Sequence, residues 1–407
     1  MQISISVGAE TQTGVSEPTR AVARLESVDL LRGFVMVVMA LDHVRDFFTN
    51  VPYEPTDLTK TFPALFLTRW ITHFCAPVFI FLAGTGAFLS LGRGRTKREL
   101  SWFLLSRGIW LALLEITWVK CLGWGFNFDY HSTAAAVLWA IGWSMVVLAG
   151  LVFLPTWAVT LIGVVMIATH NAFDDIVPAD WGKLAWLWTV LHKGGSFEIA
   201  PGWRFIEAYP LIPWIGVMAA GYGFGAIFRQ EAMARRRNIF LIGLGLTLVF
   251  VIMRFANVYG DPRPWNSQSR SVYTFFSFLN CNKYPPSLLY LLMTLGPPLM
   301  LLAWLERGTA RMFKPFLVFG HVPLFYYLLH LPFIHALAVL VAFVRYGRAD
   351  WLFGSPFDKH TTIPADNGFG LPVVYLFWVM VIVALYPACR WFADLKRRNK
   401  SPWLSYL

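Results

Sequence analysis

The chain has 407 residues, 57% of them hydrophobic and only 14% charged, with a formal net charge of +11 at pH 7. A mean hydropathy of +0.55, carried by long apolar runs, excludes a soluble domain of this length and makes the chain a membrane protein.

The first 26 residues are polar and lack the basic start, apolar core and small-residue cleavage site of a secretory signal, so 1–26 is read as a flexible cytoplasmic tail. Windows of about 20 apolar residues then place spans near 29–48, 65–91, 101–121, 133–153, 156–170, 206–228, 239–257, 285–305, 315–343 and 372–392, the fifth being the weakest. The expected fold is all-α: a polytopic membrane bundle of about ten transmembrane helices over 27–392, followed by a basic cytoplasmic tail at 393–407. No repeat, low-complexity tract or soluble insert divides it.

Basic residues orient the bundle. With the N-terminus inside, Arg93/Arg95/Lys97/Arg98, Arg229/Arg235/Arg236/Arg237, Arg307/Arg311/Lys314 and Arg390/Lys396/Arg397/Arg398/Lys400 all fall on the inner side, while the opposite loops are close to neutral. Both termini are therefore expected in the cytoplasm. The positive charge then belongs to topology and to anionic inner-leaflet lipids, so no nucleic-acid role is assigned.

Within the first span the chain carries Asp42-His43-Val44-Arg45-Asp46. Ionisable groups at such depth are costly and usually face a protein interior or an aqueous cavity, which makes this cluster the first candidate for chemistry. Positions 32, 36, 39, 43 and 46 share one helical face. Arg32 then lies about 16 Å from His43 along the axis, near the cytoplasmic surface. Arg45 can neutralise Asp42 and Asp46 on its own helix. For His43 the bland alternative is a buried imidazole bonded to a backbone carbonyl; histidine's titration near neutrality favours a general base.

Further polar groups lie in later spans: Arg69 and His73 in the second, Arg107 and Glu115 in the third, Arg254 in the seventh, and His321, His330 and His335 in the ninth. Several are expected to converge on one cavity. No histidine pair has metal-site spacing, and no metal is expected. Cys75, Cys121, Cys281 and Cys389 read as apolar filler, with a Cys121–Cys281 pairing left open. The loops 171–205 and 258–284 carry Trp181, Trp186, Trp188, Trp203 and Trp265, either an interfacial belt or sugar-stacking platforms. The last loop, with Asp350, Trp351, Asp358, His360 and Asp366, reads as solvated or as an acceptor cleft.

The runs Arg24-Leu-Glu-Ser-Val-Asp-Leu-Leu-Arg-Gly33 and Val37-Val-Met-Ala-Leu-Asp-His43 resemble the opening helix of bacterial members of the heparan-α-glucosaminide N-acetyltransferase catalytic-domain family, part of a broader transmembrane acyltransferase group. Pro77-Val-Phe-Ile-Phe-Leu-Ala-Gly84, Leu138-Trp-Ala-Ile-Gly142, Tyr259-Gly-Asp-Pro-Arg-Pro-Trp265, Lys283-Tyr-Pro-Pro-Ser-Leu288 and Pro323-Leu-Phe-Tyr-Tyr-Leu-Leu-His330 extend the resemblance over the chain after residue 24. It implies an integral protein of the bacterial cytoplasmic membrane that moves an acyl group, expected to be acetyl, from cytosolic acyl-CoA to a sugar or glycan on the far side; a homo-oligomer is left open. His43 corresponds to the first-helix histidine of related acyltransferases that modify surface glycans. In the lysosomal enzyme that helix carries Asn and the active histidine follows in the next loop; loop 49–64 here has no histidine.

The expected catalytic set is His43, either deprotonating the acceptor or taking the acyl group itself, with Asp42 or Asp46 orienting its ring. The expected substrate-binding set is Arg32, Arg45, Arg69, His73, Arg107, Lys283 and His330, with Arg32 near the CoA phosphates and Arg69, Arg107 or Lys283 offsetting the oxyanion. The alternative is a secondary transporter using the Asp/His/Arg stripe as a proton or substrate site, with helices broken at Pro77, Pro210/Pro213 and Pro297/Pro298. No matching halves support it.

Overall fold

The computed structural model describes residues 25–308, 313–355 and 363–399, with 401, 404 and 406. The tail at 1–24 and Arg311, Asp358, His360 and Lys400 lie outside the described residues. In chain order the helices are α1 (Glu26–Phe48), α2 (Pro63–Thr72), α3 (Cys75–Leu91), α4 (Lys97–Leu114), α5 (Val137–Leu151), α6 (Thr156–Thr169), α7 (Ala185–Trp188), α8 (Leu211–Phe224), α9 (Ala232–Ala256), α10 (Ser271–Leu279), α11 (Leu288–Leu305), α12 (Lys314–His321), α13 (Pro323–Tyr346) and α14 (Leu371–Arg398). Eight helical segments among the described residues are long and apolar enough to cross a membrane. The other two expected spans are α1, whose 23 residues carry the charged cluster, and α5, which is apolar but only 15 residues long.

α1 is the hub. Glu26 and Asp29 in its first turn and Arg45 in its last suit the helix dipole, and it packs against α2, α3, α11, α12, α13 and α14. Its contact with α12 is backbone against backbone: a Cβ on Gly33 would lie 1.9 Å from the Phe316 carbonyl oxygen, and one on Gly320 would lie 1.8 Å from that of Asp29. By contrast α9 buries only Ile239, Gly243, Phe250 and Arg254, as expected of a helix facing lipid.

Three segments depart from the expected spans. The ninth, 315–343, is two helices: the chain breaks at Val322 (φ −133°), because Pro323 disfavours helical backbone in the residue before it. The starts of the fourth and sixth are strands. β1 (Ser132–Ala135) and β3 (Trp203–Glu207) pair in parallel, and β2 (Gly195–Ala200) pairs antiparallel to β3, giving the order β1-β3-β2. This small sheet sits at the end of the bundle opposite the basic loops. Alternation of Phe197 and Ile199 with Glu198, and of Trp203 and Phe205 with Arg204, around Pro201–Gly202 is a hairpin signal; Gly202 takes φ +77°. The hydropathy windows at 133–153 and 206–228 absorbed its flanks.

Candidate active site

Two chambers meet along α1. At the basic end, a cavity of about 450 Å³ between α1, α3, α4, α5 and α13 is lined by Arg32, Arg93, Arg107 and Lys396, with Asp29 and His321 also in its wall. At the sheet end, a cavity of about 700 Å³ is lined by Asp42, His43, Arg45, Asp46, Arg69, Glu115, Lys120, Glu207, Lys283 and Tyr284. A narrow space of about 40 Å³ lies between them. It shares Met39, Phe79, Val137 and Tyr327 with the basic-end chamber and Asp42, His43, Lys283 and Tyr209 with the other. His43 therefore stands at the neck.

His43 Nδ1 lies 2.8 Å from Nε2 of His330, whose own Nδ1 lies 2.8 Å from the Tyr327 carbonyl. The two rings are 4.9 Å apart and nearly parallel, and Trp124 meets His43 edge-on. His330 is fully buried. Pro332 lacks an N–H and leaves the Leu328 carbonyl without its helical donor, and the Trp118 indole donates to that carbonyl instead (2.9 Å). The backbone around His330 is thereby tied to the far wall.

Asp42 is held from two sides: Arg69 donates to both carboxylate oxygens (2.6 Å to Oδ1) and Arg45 approaches to 3.0 Å. Arg45 also pairs with Asp46. The expected carboxylate–imidazole bond is thus replaced: Asp42 and Asp46 are committed to arginines, and the partner of the His43 ring is His330. The Coulomb gain is large for charges so poorly solvated, but so is the cost of leaving either partner alone.

The remaining walls come from irregular structure. α4 runs on as a π-helix, Glu115–Gly123, a wide turn often found at functional sites. It aims Glu115 and Lys120 at the sheet-end chamber; Glu115 accepts from the Leu138 amide (2.7 Å), capping α5, and Lys120 donates to the Asn127 carbonyl (2.9 Å). Glu207, on the central strand, has its Oε1 bonded by the Tyr209 amide (3.1 Å). Burial pushes the Glu207 carboxyl up to about 9 despite the Tyr209 bond, and Glu115 adds to the rise. At Tyr284, burial acts upward but the cations Lys283 and Arg69 bring the phenol below its ordinary value.

Other expected residues fall elsewhere. Arg32 donates to Asp29 (2.9 Å) and, with Arg107, lines the basic-end chamber. His321 lines it too, 3.7 Å from Asp29. His73 is buried behind the site, its carbonyl accepting from the Tyr290 hydroxyl (2.7 Å), and lines neither chamber. Arg254 donates to the carbonyls of Phe278, Arg263 and Ser277, joining α9 to the 263–280 segment rather than to the cavity. His335 bonds the Leu352 carbonyl (2.7 Å). Cys121 and Cys281 are unpaired thiols. Of the loop tryptophans, Trp203 packs on His131 (4.8 Å) at the rim of the sheet, beside a polar recess of about 390 Å³ that includes His131 and Arg204. Glu207, Tyr209, Tyr284 and Tyr327 were absent from the sequence-derived set.

The profile of one protein family, described as heparan-alpha-glucosaminide N-acetyltransferase, catalytic, matches residues 24–255, more than half of the chain. No curated protein matches it. Asp42, His43, Arg45 and Arg69 lie within the matched segment, whereas Lys283 and His330 follow it.

Proposed function

We propose that this chain, which belongs to the heparan-α-glucosaminide N-acetyltransferase catalytic family, transfers an acetyl group from cytosolic acetyl-CoA to a sugar or glycan across a bacterial cytoplasmic membrane. The observation that carries the reading is the place of His43, at the neck between a basic chamber and a second chamber at the other end of α1.

The basic end is the cytoplasmic one on the charge rule. The CoA phosphates sit against Arg32, Arg93 and Arg107, for which guanidinium geometry is well suited. The pantetheine arm follows the Met36/Met39 face of α1, and the thioester reaches the neck. The acceptor enters through the sheet-end chamber. His43 removes the acceptor proton as its oxygen or nitrogen bonds the acyl carbon; the C–S bond breaks and the proton passes to the departing thiolate. Lys283 lines the neck, and among the described residues it makes no ion pair with a carboxylate; its ammonium is therefore the cation best placed to offset the oxyanion. Arg69, committed to Asp42, and Arg107, in the other chamber, are less suited.

A transporter needs no thioester site and is not favoured for a member of a transferase family. The test is CoA release from acetyl-CoA by purified protein in sealed vesicles, with a mixed sugar pool on the side opposite the donor. Acceptor-dependent release is expected for the wild type, with a loss of about 10²–10⁴-fold in His43→Ala and CoA binding retained. Absence of both CoA binding and turnover in the wild type overturns the reading.

A further inference from the structure

We propose that His330 is a positioning residue that fixes the tautomer of His43 and keeps His43 Nε2 unprotonated toward the acceptor. The inference rests on the acyl-transfer reading for its purpose, but its physical content stands on hydrogen-bond geometry alone.

A neutral imidazole carries one N–H, and a carbonyl oxygen can only accept. Nδ1 of His330 faces two carbonyls, Tyr327 at 2.8 Å and Tyr326 at 3.1 Å, one turn back on its own helix. That nitrogen must carry the hydrogen. Nε2 of His330 then presents a lone pair, and the atom 2.8 Å from it is His43 Nδ1. Two lone pairs at that distance repel, so His43 Nδ1 is the donor. His43 Nε2 is left as the basic nitrogen and has no hydrogen-bond partner among the described residues.

The same order of logic operates wherever an orienting group holds a catalytic histidine by one nitrogen and frees the other. Here the orienter is uncharged. The neighbouring carboxylate on α1, Asp42, is tied to Arg69 and Arg45. His330 is well suited to hold one geometry: it is fully buried, its ring is stacked on Tyr326 (5.1 Å, 7° between planes), and its helix is anchored by the Trp118–Leu328 bond. In the reaction His43 Nε2 accepts the acceptor's proton while His43 Nδ1–H keeps donating to His330 Nε2, and the proton leaves again from His43 Nε2 to the CoA thiolate.

The test is magic-angle-spinning nitrogen NMR of ¹⁵N-histidine protein in lipid bilayers, with His43→Ala assigning the His43 signals. The expected wild-type spectrum has a protonated Nδ1 and an unprotonated Nε2 on His43. A protonated Nε2 on neutral His43 overturns the proposal directly, and no variant is needed to see it. In His330→Leu the fixed tautomer is expected to give way to a mixture, with kcat lowered about 10²–10³-fold and KM for acetyl-CoA unchanged. His330→Gln keeps a carbonyl oxygen where Nε2 stood, so it should retain the tautomer and a kcat within about tenfold of wild type. A Gln variant that keeps the tautomer yet is as slow as Leu shows that the imidazole itself carries protons and overturns the positioning role. If the wild type releases no CoA with any acceptor, the acyl-transfer reading fails while the NMR result still decides the tautomer.

Discussion

The two chambers hold their charges in different ways. At the basic end Arg32, Arg93, Arg107 and Lys396 outnumber the single carboxylate of Asp29 in the wall, and the excess positive charge suits an anionic guest. At the sheet end the α1 carboxylates are tied to arginines, Asp42 to Arg69 and Arg45 and Asp46 to Arg45, Glu115 and Glu207 are buried, and Lys283 makes no ion pair with a carboxylate among the described residues. Such a chamber holds its groups at set positions, which is what a reaction requires. The first chamber therefore reads as a place to bind and the second as a place to react, with His43 belonging to the border.

Variants can break that distinction. The largest effect is expected from Arg69→Met, which leaves the largely buried Asp42 with Arg45 as its remaining close partner; the loss should be about 1.5–3 kcal/mol in unfolding free energy, together with most of the turnover. Thermal unfolding in detergent would measure it, and Asp42→Asn in the same chain should restore much of the stability, as coupled sites do. Arg107→Gln removes a cation from the basic-end chamber. There the expected change is about a tenfold rise in KM for acetyl-CoA, with kcat and melting temperature nearly unchanged. If Arg107→Gln destabilised the protein as much as Arg69→Met, the contrast between a binding and a reacting chamber would be lost.

Glu207 gives the effect with the sharpest sign. Its folded-state carboxyl, pushed up to about 9, holds a proton over a range in which an unfolded glutamate, ionising near about 4.3, has lost it. The folded chain binds more protons in that window, so stability falls as pH rises from about 4.3 towards 9. Glu207→Gln has no such term. Its melting temperature relative to wild type should be lowest near pH 4 and climb through pH 9; a difference independent of pH would mean that the carboxyl is not protonated in the fold.

Much of the site was legible because a charge in an apolar run is conspicuous. His43 and Asp42 could be found from α1 alone, and Arg32 could be placed a fixed rise away on the same face. Their partners could not. Asp42 meets an arginine 27 positions away and His43 a histidine 287 positions away, and a helical periodicity describes one helix, not its neighbours. His73 shows the converse case: grouped with Arg69 in the second span, it follows the end of α2 at Thr72 as its C-terminal cap and packs against Tyr290. Glu207 was hidden because a five-residue strand just before an apolar helix is indistinguishable from that helix's first turn in a hydropathy window. The break before Pro323 was readable in principle, since proline restrains its predecessor.

Sequence by itself determined the membrane class, the near-tenfold count of helices, the basic end and the placing of a histidine among charges inside the first span. These follow from the cost of exposing apolar surface to water and charge to lipid, which acts residue by residue along the chain. Tertiary structure decided that Asp42 belongs to Arg69, that His43 belongs to His330, and that two chambers meet there. Those pairings depend on which helices lie side by side, and that is set by close backbone contacts such as Gly33 against α12, a property of surfaces fitted together rather than of any one segment.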